Sequence, residues 1–309
     1  MDRWRVAHEV VAGRATEPGW ALRRCRDCGT ADLAEPERVP MRMELYEAGP
    51  YAQRSGGRDR LLQPLRRIAD RERLRLLGPL PTAARVIEVG AGRGRLIAAL
   101  RARGHDAVGI EPASASSREA VSRGLPVEPR ALEDAKFPTD EADAVVLWHV
   151  LEHLEDPHSA LKQVRRWIKA DGRLVVAVPN LGSLQAQIGG DRWFHQDVPR
   201  HRTHFTVRGL NLLLQRSGFA ATRTRHLIIE QNWLGMWLTL LNRLTVDRDV
   251  PFRFAKRDLR YATRREAARD ALISVVAGIP LIPIAAALEP AAGIARRGGT
   301  VAVHASPAR

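Results

Sequence analysis

Arg85-Val86-Ile87-Glu88-Val89-Gly90-Ala91-Gly92-Arg93-Gly94-Arg95-Leu96 passes from an apolar strand pattern through three alternate glycines into a helical pattern. A strand that turns on glycine into a helix N-terminus makes a ligand crevice, because residues without Cβ let the backbone pass close beneath a bound molecule. The spacing here is G-x-G-x-G. The pyrophosphate fingerprint is G-x-G-x-x-G, so the third glycine comes one residue early and a dinucleotide is disfavoured. Working outward, the strand, turn and helix pattern repeats: 85–89 then 96–103, 107–111 then 116–122, 144–148 then 158–168, and 173–178. The runs VIEV, DAVVLW and RLVVAV are continuously apolar, as expected where helices cover both faces of a parallel sheet. The class is α/β, with ligands at the carboxyl ends of the strands. Residues 209–217 read as a further helix, 219–227 as a strand and 300–304 as a late strand.

Glu111 ends the second strand, 21 residues after Gly90. A carboxylate at that offset accepts hydrogen bonds from the two hydroxyls of a ribose. A ligand with a ribose, a bulky amino-acid end and no phosphate fits the early third glycine, and S-adenosylmethionine is such a molecule. With these motifs, residues 45–227 and the strand near 300 resemble the class I S-adenosylmethionine-dependent methyltransferases, in particular the bacterial small-molecule type similar to the ubiquinone O-methyltransferase group. The resemblance implies a Rossmann-like fold with a mostly parallel seven-stranded sheet, helices on both faces and a helical insert before the last strand. It also implies S-adenosylmethionine as methyl donor, held around Glu88, Gly90, Gly92, Gly94 and Glu111, with Trp148 and His149 beside it. Relatives often carry Asp where Ala131 stands, near the adenine amino group; Glu133 or Asp134 is the expected substitute, and a solvated acidic turn the alternative. Tyr46 and Tyr51 fall where relatives fold an N-terminal lid over the donor, although they also read as packing aromatics.

His149, Glu152 and His153 spell H-x-x-E-H, an inverted zinc-protease pattern. That pattern works on a long helix with a distal third ligand, whereas these residues directly follow a strand and precede Pro157, so the protease reading is rejected. Ubiquinone-type relatives have an acid in place of His149 followed by the matched Glu and His, where the cluster can support a divalent ion. Packing and hydrogen bonding by these residues is the favoured alternative, and no metal is expected.

Methyl transfer aligns donor and acceptor and, for a hydroxyl acceptor, removes a proton. The [Asp/Asn]-Pro-Pro-[Tyr/Phe] segment of base amino-methyltransferases is replaced here by Leu147-Trp148-His149-Val150, and both cysteines lie outside the core, away from where cytosine attack would need one. Residues 192–206, RWFHQDVPRHRTHFT, look like the D-x-P-x-H…H-F-T stretch of a bacterial small-molecule subgroup and crowd histidines beside the expected acceptor pocket. His201, His204 and His149 are the candidate bases for O-methylation; hydrogen bonds that order the loop are the alternative for each.

The chain divides into 1–45, an irregular or small β segment with a vestigial C-x-x-C; 46–84, a helical lead-in; 85–229, the donor-binding core; 230–297, an apolar helical insert; and 298–309, the last strand and tail. Relatives often have two C-x-x-C pairs in a zinc ribbon. Here only Cys25 and Cys28 remain, with His8 as a further candidate ligand, and a lost ribbon is the favoured reading. Residues 271–288 carry no charge, but Pro280 and Pro283 oppose a membrane span; a buried helix pair is expected, with shallow membrane contact as the alternative. A net charge of +14 favours an anionic partner. Four of the 49 basic residues are Lys and the rest Arg, a bias that can be spread over the whole surface, so nucleic acid is disfavoured. A lone C-x-x-C and a charged N-terminus with Asp2, Arg3, Arg5 and Glu9 favour a cytoplasmic protein, with membrane association left open. The expected function is methyl transfer to a small-molecule, sugar or lipid-linked acceptor, with oxygen as the expected methylated atom. The alternatives are a nucleic-acid or protein methyltransferase and a non-enzymatic binding protein.

Overall fold

The structure, a computed structural model, describes residues 8–11, 21–34, 59–255 and 263–308. Three short strands come first: β1 (His8–Val11), β2 (Leu22–Cys25) and β3 (Ala31–Leu33). After α1 (Asp59–Leu77) the alternating pattern begins with β4 (Arg85–Val89), α2 (Arg95–Arg101), β5 (Asp106–Ile110), α3 (Ser114–Ser122) and β6 (Val127–Glu128). It continues through β7 (Ala142–Trp148), α4 (Pro157–Trp167), β8 (Ile168–Pro179) and α5 (Leu184–Gly189). Then follow β9 (Thr203–His204), α6 (Val207–Arg216) and β10 (Phe219–Arg225). The insert holds α7 (Ile229–Asn242), α8 (Val250–Ala255), α9 (Arg264–Val276) and α10 (Gly278–Ile294), and β11 (Thr300–Pro307) closes the chain.

Seven strands form one sheet in the order β10-β11-β8-β7-β4-β5-β6. β4 pairs in parallel with both β5 and β7, and β11 alone runs antiparallel, between β8 and β10. The apolar runs explain the layering. Ile87, Val145 and Val176 pack into one buried cluster with Leu161 and Leu213, while Val86, Val146 and Val175 pack into another with Leu96 and Ile97. Each central strand therefore feeds both faces, which is why its sequence does not alternate. The strand order reverses between β4 and β7, and the crevice at their carboxyl ends is where an open sheet of this kind binds its ligand.

Local signals start the helices that border this crevice. Asp156 caps α4, accepting from the N–H groups of His158 and Ser159 at 3.0 Å each, with Pro157 at the first helical position. Thr206 caps α6 through the N–H of Gly209.

Of the two readings of the N-terminal segment, irregular or small β, the described residues show the second: an antiparallel sheet, β1-β2-β3-β9, whose last strand is borrowed from the histidine-rich loop, with Ala31 opposite His204 and Asp32 opposite Thr203. A two-residue strand has no pattern to read, so this pairing was invisible in sequence. The apolar stretch in the insert is not the expected buried pair: Thr263 and Glu266 form a capping box that starts α9 earlier than the apolar run, and the large side chains of α9 and α10 are mostly exposed.

Candidate active site

A cavity of about 450 Å³ opens at the carboxyl ends of β4, β5 and β7, a size ordinary for a small-molecule site. One end is built by the glycine turn. Gly90 and Gly92 line it with φ of +71° and +54°, and the N–H groups of Gly90 and Ala91 both donate to the Ile110 carbonyl, tying the turn to the end of β5. No atom lies within 4 Å of where a Cβ on Gly92 would stand, so that face of the turn is open. Glu111 crosses beside it, accepting from the Gly92 N–H and the Ala113 N–H at 2.8 Å each. Burial pushes its carboxyl above the usual range, and the two N–H bonds pull against that.

The other end comes from three separate pieces of chain. His149 and His153 descend from the turn after β7; His195, Asp197, Arg200 and His201 come from the loop that β9 ties to the N-terminal sheet; Leu234, Asp249 and Phe252 come from the insert. Phe194 and Phe252 meet edge to face, with ring centroids 6.1 Å apart. His149, at φ +55°, places Nδ1 3.1 Å from Oε1 of the buried Glu152, while its Nε2 has no partner among the described residues. A neutral imidazole donates from one nitrogen only, so a proton on Nδ1 leaves the buried Nε2 lone pair without a partner. Burial raises the Glu152 carboxyl, but the bond to His149 and the charges of His149, His153 and His201 more than offset this and hold it at about 2.

His201 is used differently. Its Nδ1 lies 2.7 Å from the His195 carbonyl, and burial, aided by His153, drops its pKa to about 4. Glu152, His153 and His201 bring ligand atoms within 4.8 Å of one another, the arrangement among the described residues able to hold a divalent ion; His149, part of the H-x-x-E-H pattern, is not in it. Of that pattern, Glu152 and His153 lie on a short 3-10 turn, 151–153, and His149 precedes it, so no long helix carries the three residues. Cys25 and Cys28 are buried thiols in the β2–β3 hairpin, and no third ligating side chain joins them among the described residues.

The sequence-predicted residues thus divide. Gly90, Gly92, Glu111, Glu133, His149 and His201 line one cavity. Gly94 does not: at φ +70° its Cβ would come 2.7 Å from Leu125 Cδ1, so its need for glycine is one of packing. Glu88 is buried in β4 off the cavity wall, and Asp134 is exposed beyond it. Trp148 lies in the opposite buried cluster, under the Arg73 guanidinium at 5.2 Å. His204 sits behind the wall, its Nε2 2.7 Å from the Gln196 carbonyl. Tyr51 and Tyr46 lie outside the described residues. Asp249 and Phe252 were missed by sequence reasoning, since an isolated Asp-Val-Pro-Phe in an insert matches no motif. Asp249 has φ +53°, accepts from the Asn242 amide at 2.8 Å, and is driven by burial to a pKa of about 7.

The family described as Methyltransferase domain matches residues 61–224, just over half of the chain. The chain belongs to this methyltransferase family. It is the class I S-adenosylmethionine-dependent group that the glycine turn and Glu111 resemble. Among similar proteins are ubiquinone biosynthesis O-methyltransferases of Maricaulis maris, 29% identical over 135 residues (40% of this chain, 53% of that protein), and of Bordetella avium, 34% over 95 residues (28% and 39%). An uncharacterized methyltransferase of Bacillus pumilus is 31% identical over 113 residues (33% and 52%). The chain thus spans about half the length, or less, of these curated relatives. A chain in the solved complex between the Haloferax volcanii Trm112 methyltransferase activator and a methyltransferase aligns with a TM-score of 0.52 and 16% identity, covering 88% of this chain and 100% of that one. At that identity the likeness is one of fold.

The buried histidines make the fold around this site acid-sensitive. The folded chain holds His201 at about 4, and burial lowers His195 and His204 as well, against about 6.5 for an unfolded imidazole. Between those values the unfolded chain binds more protons, so the histidine contribution is intact above about pH 6.5 and is lost as pH falls toward 4. For His201 alone the loss reaches about 3 kcal/mol at ~1.4 kcal/mol per unit. Denaturant unfolding at pH 7 and pH 4.5 should show a smaller drop for His201→Gln than for the wild type; equal drops would contradict the assignment.

Proposed function

We propose that this methyltransferase transfers the methyl group of S-adenosylmethionine to a hydroxyl oxygen of a small-molecule, sugar or lipid-linked acceptor, with His149 as the base. The observation that carries the reading is the His149–Glu152 pair at the cavity wall, which leaves one imidazole nitrogen unpartnered. S-adenosylmethionine, when bound, supplies a methyl carbon already activated by its sulfonium. Gly90 and Gly92 give it a floor without side chains. The two N–H groups that hold Glu111 fix its carboxylate, and each oxygen keeps a further lone pair for a ribose hydroxyl. Glu133 lines the same cavity and is the candidate partner for the adenine amino group.

With the donor held there, an acceptor oxygen would take the methyl group as the carbon–sulfur bond breaks, the electron pair staying on sulfur. The hydroxyl proton passes to His149 Nε2. Glu152 keeps the Nδ1 proton in place and stabilises the imidazolium, a task its depressed pKa suits. Phe194, Phe252 and Leu234 form an apolar wall around Asp249 and Arg200, which fits a partly apolar acceptor with polar substituents. The names of the relatives, ubiquinone biosynthesis O-methyltransferase, support oxygen as the methylated atom. The test is incubation of the protein with labelled S-adenosylmethionine and a panel of phenols, sugars and hydroxylated lipids. The expected result is label in an ether; donor binding without transfer to any hydroxyl, or transfer to nitrogen alone, would overturn the reading.

A further inference from the structure

The two helices before the last strand wear their side chains inside out. α9 buries only Asp270, and α10 buries Gly278, Ala285, Glu289, Ala292 and Gly293. The large apolar residues face outward instead: Leu272 is 64% exposed, Val275 61%, Val276 64% and Ile279 65%, with Ile282 and Ile284 also exposed. A helix that packs on a soluble core does the opposite, and a contiguous exposed apolar surface of this kind marks an interaction site.

The outward orientation is enforced by the buried acids. Asp270 accepts from the N–H groups of Val246 and Asp247 at 2.9 and 2.8 Å. Glu289 accepts from the Gln185 amide and the Gly299 N–H at 2.7 Å each. Rotating either helix to hide its apolar residues would break these bonds and leave buried polar groups unpaired. At the bend between the helices, the Trp237 indole donates to the Gly278 carbonyl at 2.7 Å. The apolar face is therefore held out from α7, the helix that also carries Leu234 on the cavity wall.

Charge selects the occupant. Arg264, Arg265 and Arg269 lie at the start of α9, and Arg296 and Arg297 follow α10. Of the three acids between 264 and 297, Asp270 and Glu289 are buried, leaving the half-buried Glu266, engaged in the α9 capping box, as the one that is not. An apolar face rimmed by arginines complements an anionic lipid surface, and it opposes a two-fold contact with a second copy, which would set arginines against arginines. Among the described residues no single helix is long and apolar enough to cross a membrane; the α9–α10 pair reaches that length only together and is bent by 54°, and the buried Asp270 and Glu289 tie both helices to the rest of the fold. We propose that α9 and α10 dock this protein peripherally on membranes containing anionic lipid, with Leu272, Val275, Val276 and Ile279 entering the acyl boundary and Arg264 and Arg265 contacting headgroups. This inference stands independently of the methyl-transfer reading.

The test is sedimentation with vesicles of phosphatidylcholine alone and of phosphatidylcholine with phosphatidylglycerol, at about 0.1 M salt. The wild type is expected to pellet with the anionic vesicles at least tenfold more than with the neutral ones. The double variant Val275→Glu, Ile279→Glu removes no buried contact and should lose at least nine-tenths of that binding. Arg264→Glu with Arg265→Glu, a second variant on exposed positions, should lose the preference for anionic lipid. Wild type that stays in the supernatant with anionic vesicles would overturn the proposal, as would variants that pellet unchanged. So would a soluble dimer that Val275→Glu, Ile279→Glu converts to monomer in the absence of any vesicle binding.

Discussion

Gly92→Arg abolishes S-adenosylmethionine binding, weakening it at least about 100-fold, equivalent to about 2.7 kcal/mol, while the protein stays folded. The direction of the missing Cβ decides the outcome. At φ +54° any side chain at 92 is somewhat strained, but a Cβ there meets no atom within 4 Å, so the backbone can keep its path. An arginine side chain then enters the space above the turn that the proposal gives to the donor. The neighbouring glycines cannot make this separation. A Cβ on Gly90 would be built into Val150 Cγ2, and one on Gly94, the N-cap of α2, would press on Leu125, so both substitutions disturb the turn itself. Calorimetric titration of the variant, with circular dichroism as the control for folding, checks the expectation; wild-type affinity in a folded variant would move the donor off the glycine turn.

His149→Gln lowers turnover by about 10²–10⁴-fold, the usual worth of a positioned general base, with donor affinity little changed. Glutamine can still reach Glu152 with an amide N–H but offers no lone pair of comparable basicity. Glu152→Gln should also lower turnover, because a neutral amide neither fixes the Nδ1 tautomer nor supports the imidazolium. The double variant should be no worse than His149→Gln alone, since the two residues act as one unit. His204→Gln is the contrast: its imidazole lies behind the cavity wall on the Gln196 carbonyl, so its loss should lower stability rather than turnover. These variants are read on the acceptor found in the hydroxyl panel. A His149→Gln enzyme within threefold of wild type would remove His149 from the reaction.

Much of the core was legible because its signals are local. A continuous apolar run, a glycine turn and an acid at a fixed offset recur wherever a parallel sheet binds a ligand at its strand ends, so β4, β5, β7 and β8 and the placement of Gly92 and Glu111 follow from short windows of sequence. Gly94 belongs to the same motif, yet sequence cannot tell a glycine that makes room for a ligand from one that makes room for Leu125. Trp148 ends a strand, where one residue of shift moves a side chain to the other face; it points into the cluster under Arg73, while His149, one position on, meets the cavity. Asp249 and Phe252 reach the cavity only because the insert folds back across it, a long-range fact with no periodic signature. The same holds for α9 and α10. Their composition read as a buried pair, and the buried Asp270 and Glu289 are what turn the apolar residues outward.

The central claim is that the cavity at the ends of β4 and β5 is a site for S-adenosylmethionine and not for a dinucleotide. Calorimetric titration of the purified wild-type protein with S-adenosylmethionine and, separately, with NAD tests it most directly. The account predicts micromolar binding of S-adenosylmethionine at one site per chain and no heat with NAD. Binding of NAD, or of neither ligand, would contradict it.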